Sequence, residues 1–145
     1  MNNQKVISST IMFSCFIVAS IATLGSLFFS EIMEFVPCTM CWYQRIFMYP
    51  LVLIFLINLL YPDEKVFKYS FPLVLTGMLF AIYHNLLMWK IIPESAVPCK
   101  QGVPCSTEYF EYFGFINIPF LSLFAYSLIL VLLLVGQKKV CNNAK

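Results

Sequence analysis

Charge is what this sequence has least of. Of its 145 residues nine are Lys or Arg and seven are Asp or Glu, so only 11% carry charge, and there is a single histidine. A soluble domain of this length needs more polar side chains than that to cover its surface. The net charge of +2 is too small, and the lysines too dispersed, to point to a nucleic-acid partner. No internal repeat, low-complexity segment or second domain stands out either, so residues 1–145 read as one domain.

What the chain has instead is apolar length: 61% of it is hydrophobic, and its mean hydropathy is +0.84. These residues are grouped into runs at about 6–29, 43–60, 69–89 and 118–135. A bilayer crossing takes roughly 20 such residues. The expected fold is therefore all-α, a four-transmembrane-helix bundle in the lipid bilayer. In the first run Ala19 and Thr23, Ala22 and Ser26 form overlapping small-residue pairs beside Gly25, which lets helices approach closely in lipid. Lys5 and Ser20-x-Ala22 also resemble a signal peptide, but the run stays apolar through Phe29, which favours a retained span. Between the third and fourth runs, residues 106–113 carry an acid in the first turn and Phe110 and Phe113 on one side. That pattern predicts a short amphipathic helix lying on the membrane surface.

Orientation follows from Lys and Arg alone. Lys5, Lys65, Lys68, Lys138, Lys139 and Lys145 fall on one side; Lys90, Lys100 and the border residue Arg45 fall on the other. The richer side is cytoplasmic. Both termini are then expected inside and both polar cysteine loops outside, where disulfides persist.

Those loops carry the chemistry. Pro37, Cys38, Thr39, Met40, Cys41, Trp42, Tyr43, Gln44 and Arg45 join the first run to the second. A Cys-x-x-Cys pair opening a helix is well placed for redox work, because the helix N-terminus and a nearby cation favour the reactive thiolate. Arg45 lies one helical turn beyond Cys41, so its guanidinium and the sulfur can share a face. The second loop holds Cys99 and Cys105, flanked by Pro98 and Pro104 with Gly102 between them. Two outward dithiol pairs beside a bilayer suggest a relay that passes electrons by disulfide exchange. Its membrane end needs an acceptor soluble in lipid, for which a quinone is the obvious candidate. His84, near the outer end of the third run, is a candidate to donate a hydrogen bond or proton there.

The combination resembles the bacterial membrane thiol oxidases of the DsbB type, including their smaller BdbC-like members. It covers nearly the whole chain: four runs, Pro-Cys-x-x-Cys-Trp-Tyr-x-Arg at 37–45, His84 and a cysteine pair in the second outer loop. The resemblance implies a multi-pass protein of the bacterial cytoplasmic membrane. Such an enzyme reoxidises an extracytoplasmic thioredoxin-fold partner and passes the electrons to ubiquinone or menaquinone. Carried over by position, Cys99 and Cys105 would meet the partner, and Cys38 and Cys41 would sit beside the quinone. Cys41 would be the thiolate touching the ring, and Arg45 would support its site. Only five residues separate Cys99 from Cys105, closer than in the best-known members and similar to the BdbC-like branch.

Other readings compete for the same residues. Either cysteine pair can be a structural staple, although the Cys38–Cys41 loop is so short that closing it removes little chain entropy. Four cysteines can bind zinc, but their spacing is not that of a zinc ribbon, and no metal site is expected. Arg45 can snorkel to the headgroups. Trp42, Tyr43 and Trp89 read as interface anchors. Cys15, inside the first run, and Cys141, in the C-terminal tail, are expected to be inert. A vitamin K epoxide reductase-like enzyme shares the four-span layout but places its active pair late in the bundle. A non-catalytic membrane protein with two structural disulfides is the remaining rival.

Overall fold

The structure is a computed structural model that describes residues 3–34, 36–63, 65–89, 91 and 118–143. Four helices account for nearly all of them: α1 (Asn3–Leu27), α2 (Thr39–Leu60), α3 (Val66–Met88) and α4 (Ile118–Asn143). All four are long and apolar enough to cross a membrane. The chain is a four-helix membrane bundle.

Each helix packs mainly on two others, in the closed order α1–α2–α3–α4–α1. Neighbours run antiparallel. Arg45 at the start of α2 bonds Ser26 near the end of α1, and Asn85 near the end of α3 bonds Pro119 at the start of α4. One end of the bundle therefore gathers the close of α1 and α3 with the opening of α2 and α4.

The inward face of α1 is the small-residue stripe extended by Met12 and Cys15, with Cys15 and Ala19 fully buried. Cys15 thus lies in the core and not against lipid. Large apolar side chains cover the outside instead, among them Ile21, Leu24, Leu53 and Val131. In water that surface would be costly; in hydrocarbon it is the expected exterior. At the centre Tyr126 is fully buried, and its ring lies where a Cβ on Gly77 would stand. Gly136 likewise leaves room for Phe67. Glycine here serves close packing between α3 and α4.

The helix ends differ from the apolar runs for local reasons. Cys38, in extended backbone, caps α2 by accepting the Cys41 N–H on its sulfur at 3.3 Å. The helix accordingly starts at Thr39, and Cys41 and Trp42 belong to its first turn. Asp63 accepts from the N–H groups of Lys65 and Val66, which starts α3 three residues ahead of the run at 69. α1 does not stop at Leu27 but widens into a π-helical turn, Phe28–Ile32. Pro50 and Pro72 sit within α2 and α3 without ending either. The surface helix expected at 106–113, together with Cys99 and Cys105, lies outside the described residues.

Candidate functional site: a dithiol at the mouth of an apolar cavity

Because Cys38 caps α2 and Cys41 lies in its first turn, the two sulfurs point the same way and stand 2.9 Å apart, not bonded to each other. A disulfide needs about 2.05 Å, so small side-chain movements join or part them. His84 reaches across from α3, 46 positions away in sequence, and puts Nε2 3.7 Å from Cys38 Sγ. The three ligand atoms fall within 4.8 Å of one another. Two sulfurs on one tetrahedral zinc would stand about 3.8 Å apart, given Zn–S bonds of about 2.3 Å. The observed spacing suits a dithiol that closes on itself.

Cys38 has more donors around it than Cys41. Its thiol, just ahead of the α2 span, is pushed below the ordinary thiol range, first by the hydrogen bond from the Cys41 side chain and then by His84, against the opposing effect of burial. The N–H of Cys41 adds to this.

Arg45 is half-buried. Its Nη2 donates to Ser26 O at 2.9 Å and its Nη1 to Ser30 Oγ at 3.3 Å. The guanidinium also stands 5.5 Å from the centre of the Trp42 ring. Both partners flank or lie in the end of α1, where the π turn loosens the regular ladder of carbonyls. Trp42 and Trp89 are each about half exposed, as interface anchors should be.

A cavity of about 480 Å³ opens beside these groups. Cys38, Cys41, His84 and Arg45 line one end of it. The four candidate residues that the described chain includes are therefore brought together.

Sequence reasoning missed the polar residues behind them. Gln44 is buried; its Nε2 lies 3.1 Å from His84 Nδ1, and its Oε1 accepts from Ser122 Oγ at 2.7 Å. Tyr126 donates to the Gln44 carbonyl at 2.7 Å. Tyr49 lines the cavity with a buried hydroxyl that has no hydrogen-bond partner among the described residues. The one available signal was spacing: Gln44 falls on the same face of α2 as Met40, Met48 and Leu51, the buried ones. A glutamine on that face needs partners.

Comparisons with known proteins identify the relatives of the whole chain. The family model for "Disulfide bond formation protein DsbB" matches residues 8–136. The chain is 49% identical over 130 residues to "Disulfide bond formation protein C" of Bacillus subtilis (strain 168), covering 88% of this chain and 94% of that one. It is 46% identical over 121 residues to "Probable disulfide formation protein C 1" of Bacillus anthracis, covering 83% and 86%. With "Probable disulfide formation protein C" of Halalkalibacterium halodurans it shares 43% over 130 residues, 88% and 95% of the two chains. No solved structure gives a significant match. A cysteine pair at the end of a four-helix membrane bundle and a family match across nearly its whole length lead to one conclusion: the chain belongs to the DsbB family of disulfide bond formation proteins.

Proposed function

We propose that this chain is a membrane dithiol oxidase that supports disulfide formation in exported proteins. It reoxidises an extracytoplasmic thioredoxin-fold partner and delivers the electrons to a membrane quinone. The observation that carries the reading is that the Cys38–Cys41 dithiol, with His84 and Arg45, lines a cavity within the bundle.

The cavity suits such an acceptor. Its walls are mainly apolar, with Gly25 on one wall leaving open space where a side chain would stand. Tyr49 has a hydroxyl with no partner among the described residues, and Arg45 brings N–H groups to the same lining. A bound quinone supplies a two-electron acceptor that remains in the lipid phase. Arg45 and Tyr49 are the residues proposed to hold it.

The chain's own part is sulfur chemistry. A partner dithiol exchanges with the outer pair, Cys99 and Cys105; that pair in turn reduces the Cys38–Cys41 disulfide, one S–S bond forming as another breaks. The resemblance names Cys41 as the thiolate beside the ring; the donors around Cys38 instead favour charge on Cys38 when the Cys38–Cys41 bond opens. The lysine and arginine distribution supports a bacterial cytoplasmic membrane protein with both termini inside and both cysteine loops outside.

The direct test combines purified protein, a reduced thioredoxin-fold partner and quinone, following quinone absorbance. Cys99→Ser and Cys105→Ser should each block transfer from the partner while leaving Cys38–Cys41 oxidisable by quinone. If both variants oxidise the partner at the normal rate, the outer pair is a staple and the relay fails.

A further inference from the structure

We propose that Gln44, anchored by Ser122, is a positioning residue that locks His84 in the tautomer with its proton on Nε2, so that the ring donates to the Cys38 sulfur. The observation is a chain of polar groups crossing three helices: Ser122 Oγ to Gln44 Oε1 at 2.7 Å, Gln44 Nε2 to His84 Nδ1 at 3.1 Å, and His84 Nε2 to Cys38 Sγ at 3.7 Å.

Each link constrains the next. Ser122 has one hydroxyl proton and two oxygens within reach, Gln44 Oε1 at 2.7 Å and Pro119 O at 2.8 Å. Pro119 O already receives the Asn85 amide at 3.0 Å. Among the described residues Gln44 Oε1 has no donor but Ser122, so the hydroxyl proton goes to it. A glutamine oxygen committed to Ser122 leaves the amide NH2 facing His84. That group can only donate, so Nδ1 must be the bare, accepting nitrogen. A neutral imidazole with a bare Nδ1 carries its proton on Nε2, the atom that faces sulfur.

The consequence is directional. Cys38 Sγ is met by Cys41 N–H on one side and by His84 Nε2 on the other. With Nε2 protonated both are donors, and both favour charge on the sulfur. With the opposite tautomer the ring would present a lone pair to Cys38 and hold its proton instead. Gln44 and Ser122 touch neither sulfur; they act through the ring they orient. Tyr126, donating to the Gln44 carbonyl, fixes the same residue from its backbone side.

The role of the lock rests on reading Cys38 as a redox sulfur, but its test does not. His84 is the single histidine in the chain, so protein labelled with 15N-histidine reports on this ring alone. The full-length reduced protein would be examined by NMR in lipid nanodiscs, at a pH well above the ordinary imidazole range. Expected in the wild type is a protonated Nε2 and a bare Nδ1. Gln44→Leu should give a mixture of tautomers, and Ser122→Ala a partial shift toward it. Gln44→Glu places an acceptor opposite Nδ1 and should move the proton there. A wild type protonated on Nδ1, or an unchanged Nε2–H pattern in Gln44→Leu and Gln44→Glu, overturns the proposal. Should Gln44→Leu fail to fold, the wild-type tautomer and the partial shift in Ser122→Ala decide, since Ser122 reaches the ring only through Gln44. Loss of quinone-linked oxidation in every assay would defeat the proposed function and leave the tautomer result standing by itself.

Discussion

Tyr126 on α4 donates its hydroxyl proton to the main-chain carbonyl of Gln44 on α2, across 82 positions of sequence and at 2.7 Å. The bond ties the helix that carries the dithiol to the helix opposite. Tyr126→Phe keeps the ring and loses the bond, which is worth about 0.5–1.5 kcal/mol for a neutral pair. The variant should insert normally and unfold slightly earlier in a detergent melting assay. A melting point equal to the wild type would mean that the hydroxyl contributes nothing.

Gly77→Ala should be worse than Tyr126→Phe. Its methyl would occupy the place of the Tyr126 ring, and forcing extra atoms into a packed core costs about 1–3 kcal/mol. The expected result is a clear loss of thermal stability, relieved in the double variant Gly77→Ala/Tyr126→Leu. No relief would show that the two residues are not the source of the strain.

Arg45 separates charge from geometry. Its two hydrogen bonds to Ser26 and Ser30 depend on a planar guanidinium, which lysine cannot reproduce. Arg45→Lys keeps the charge; Arg45→Met keeps neither. A hydrogen bond to a charged group is worth about 1.5–3 kcal/mol, and each 1.4 kcal/mol is about tenfold. Quinone-linked oxidation should fall by roughly tenfold or more in Arg45→Met and by less in Arg45→Lys, with the apparent quinone KM raised in both. Unaltered quinone kinetics in Arg45→Met would reduce the arginine to a headgroup anchor.

The lowered thiol range of Cys38 gives a pH signature. In reduced protein, alkylation of Cys38 resolved by peptide mass spectrometry should be near its plateau at neutral pH. It should fall only as the pH drops well below the ordinary thiol value of about 8.5. The sign for stability is the same: the unfolded chain holds the proton at pH values where the folded one has lost it. The reduced form is therefore stabilised above the unfolded thiol value, and that gain is lost as pH falls through the folded one. His84→Phe should move the alkylation curve to higher pH. A wild-type curve centred on the ordinary value contradicts the assignment.

Topology has its own test. A membrane-impermeant thiol reagent applied to intact, reduced cells should label Cys99 and Cys105 and spare Cys141 until the cells are permeabilised. Labelling of Cys141 in intact cells reverses the orientation drawn from the lysines.

Much of this molecule was legible before folding because its strongest signals are local. Run length gives the four helices, and a Cys-x-x-Cys beside a run places the dithiol at a helix mouth. Arg45 follows by one turn, and His84 lies near the same end because antiparallel helices of similar length bring the close of α3 to the opening of α2. Gln44, Ser122, Tyr49 and Tyr126 were not legible as a site. Their meaning is pairwise, and helical periodicity assigns a face without naming who stands opposite. Arg45's true partners were hidden for a similar reason, since they depend on a π turn that no composition rule foretells. The side that Cys15 faces was not legible either, because the first run carries no charge to mark an outer face. The small-residue stripe turns it inward.

The gathering of Cys38, His84 and Arg45 at one end of the bundle has an electrical consequence. A hydrocarbon layer of about 30 Å drops the membrane voltage along its normal, and one charge moved fully across is worth about 2.3 kcal/mol per 100 mV. On the proposed function, electrons leave this dithiol for an acceptor held by Arg45 at the same end of the bundle and cross little of that drop. Turnover should therefore be almost indifferent to the membrane potential, neither driven by an energised membrane nor held back by one.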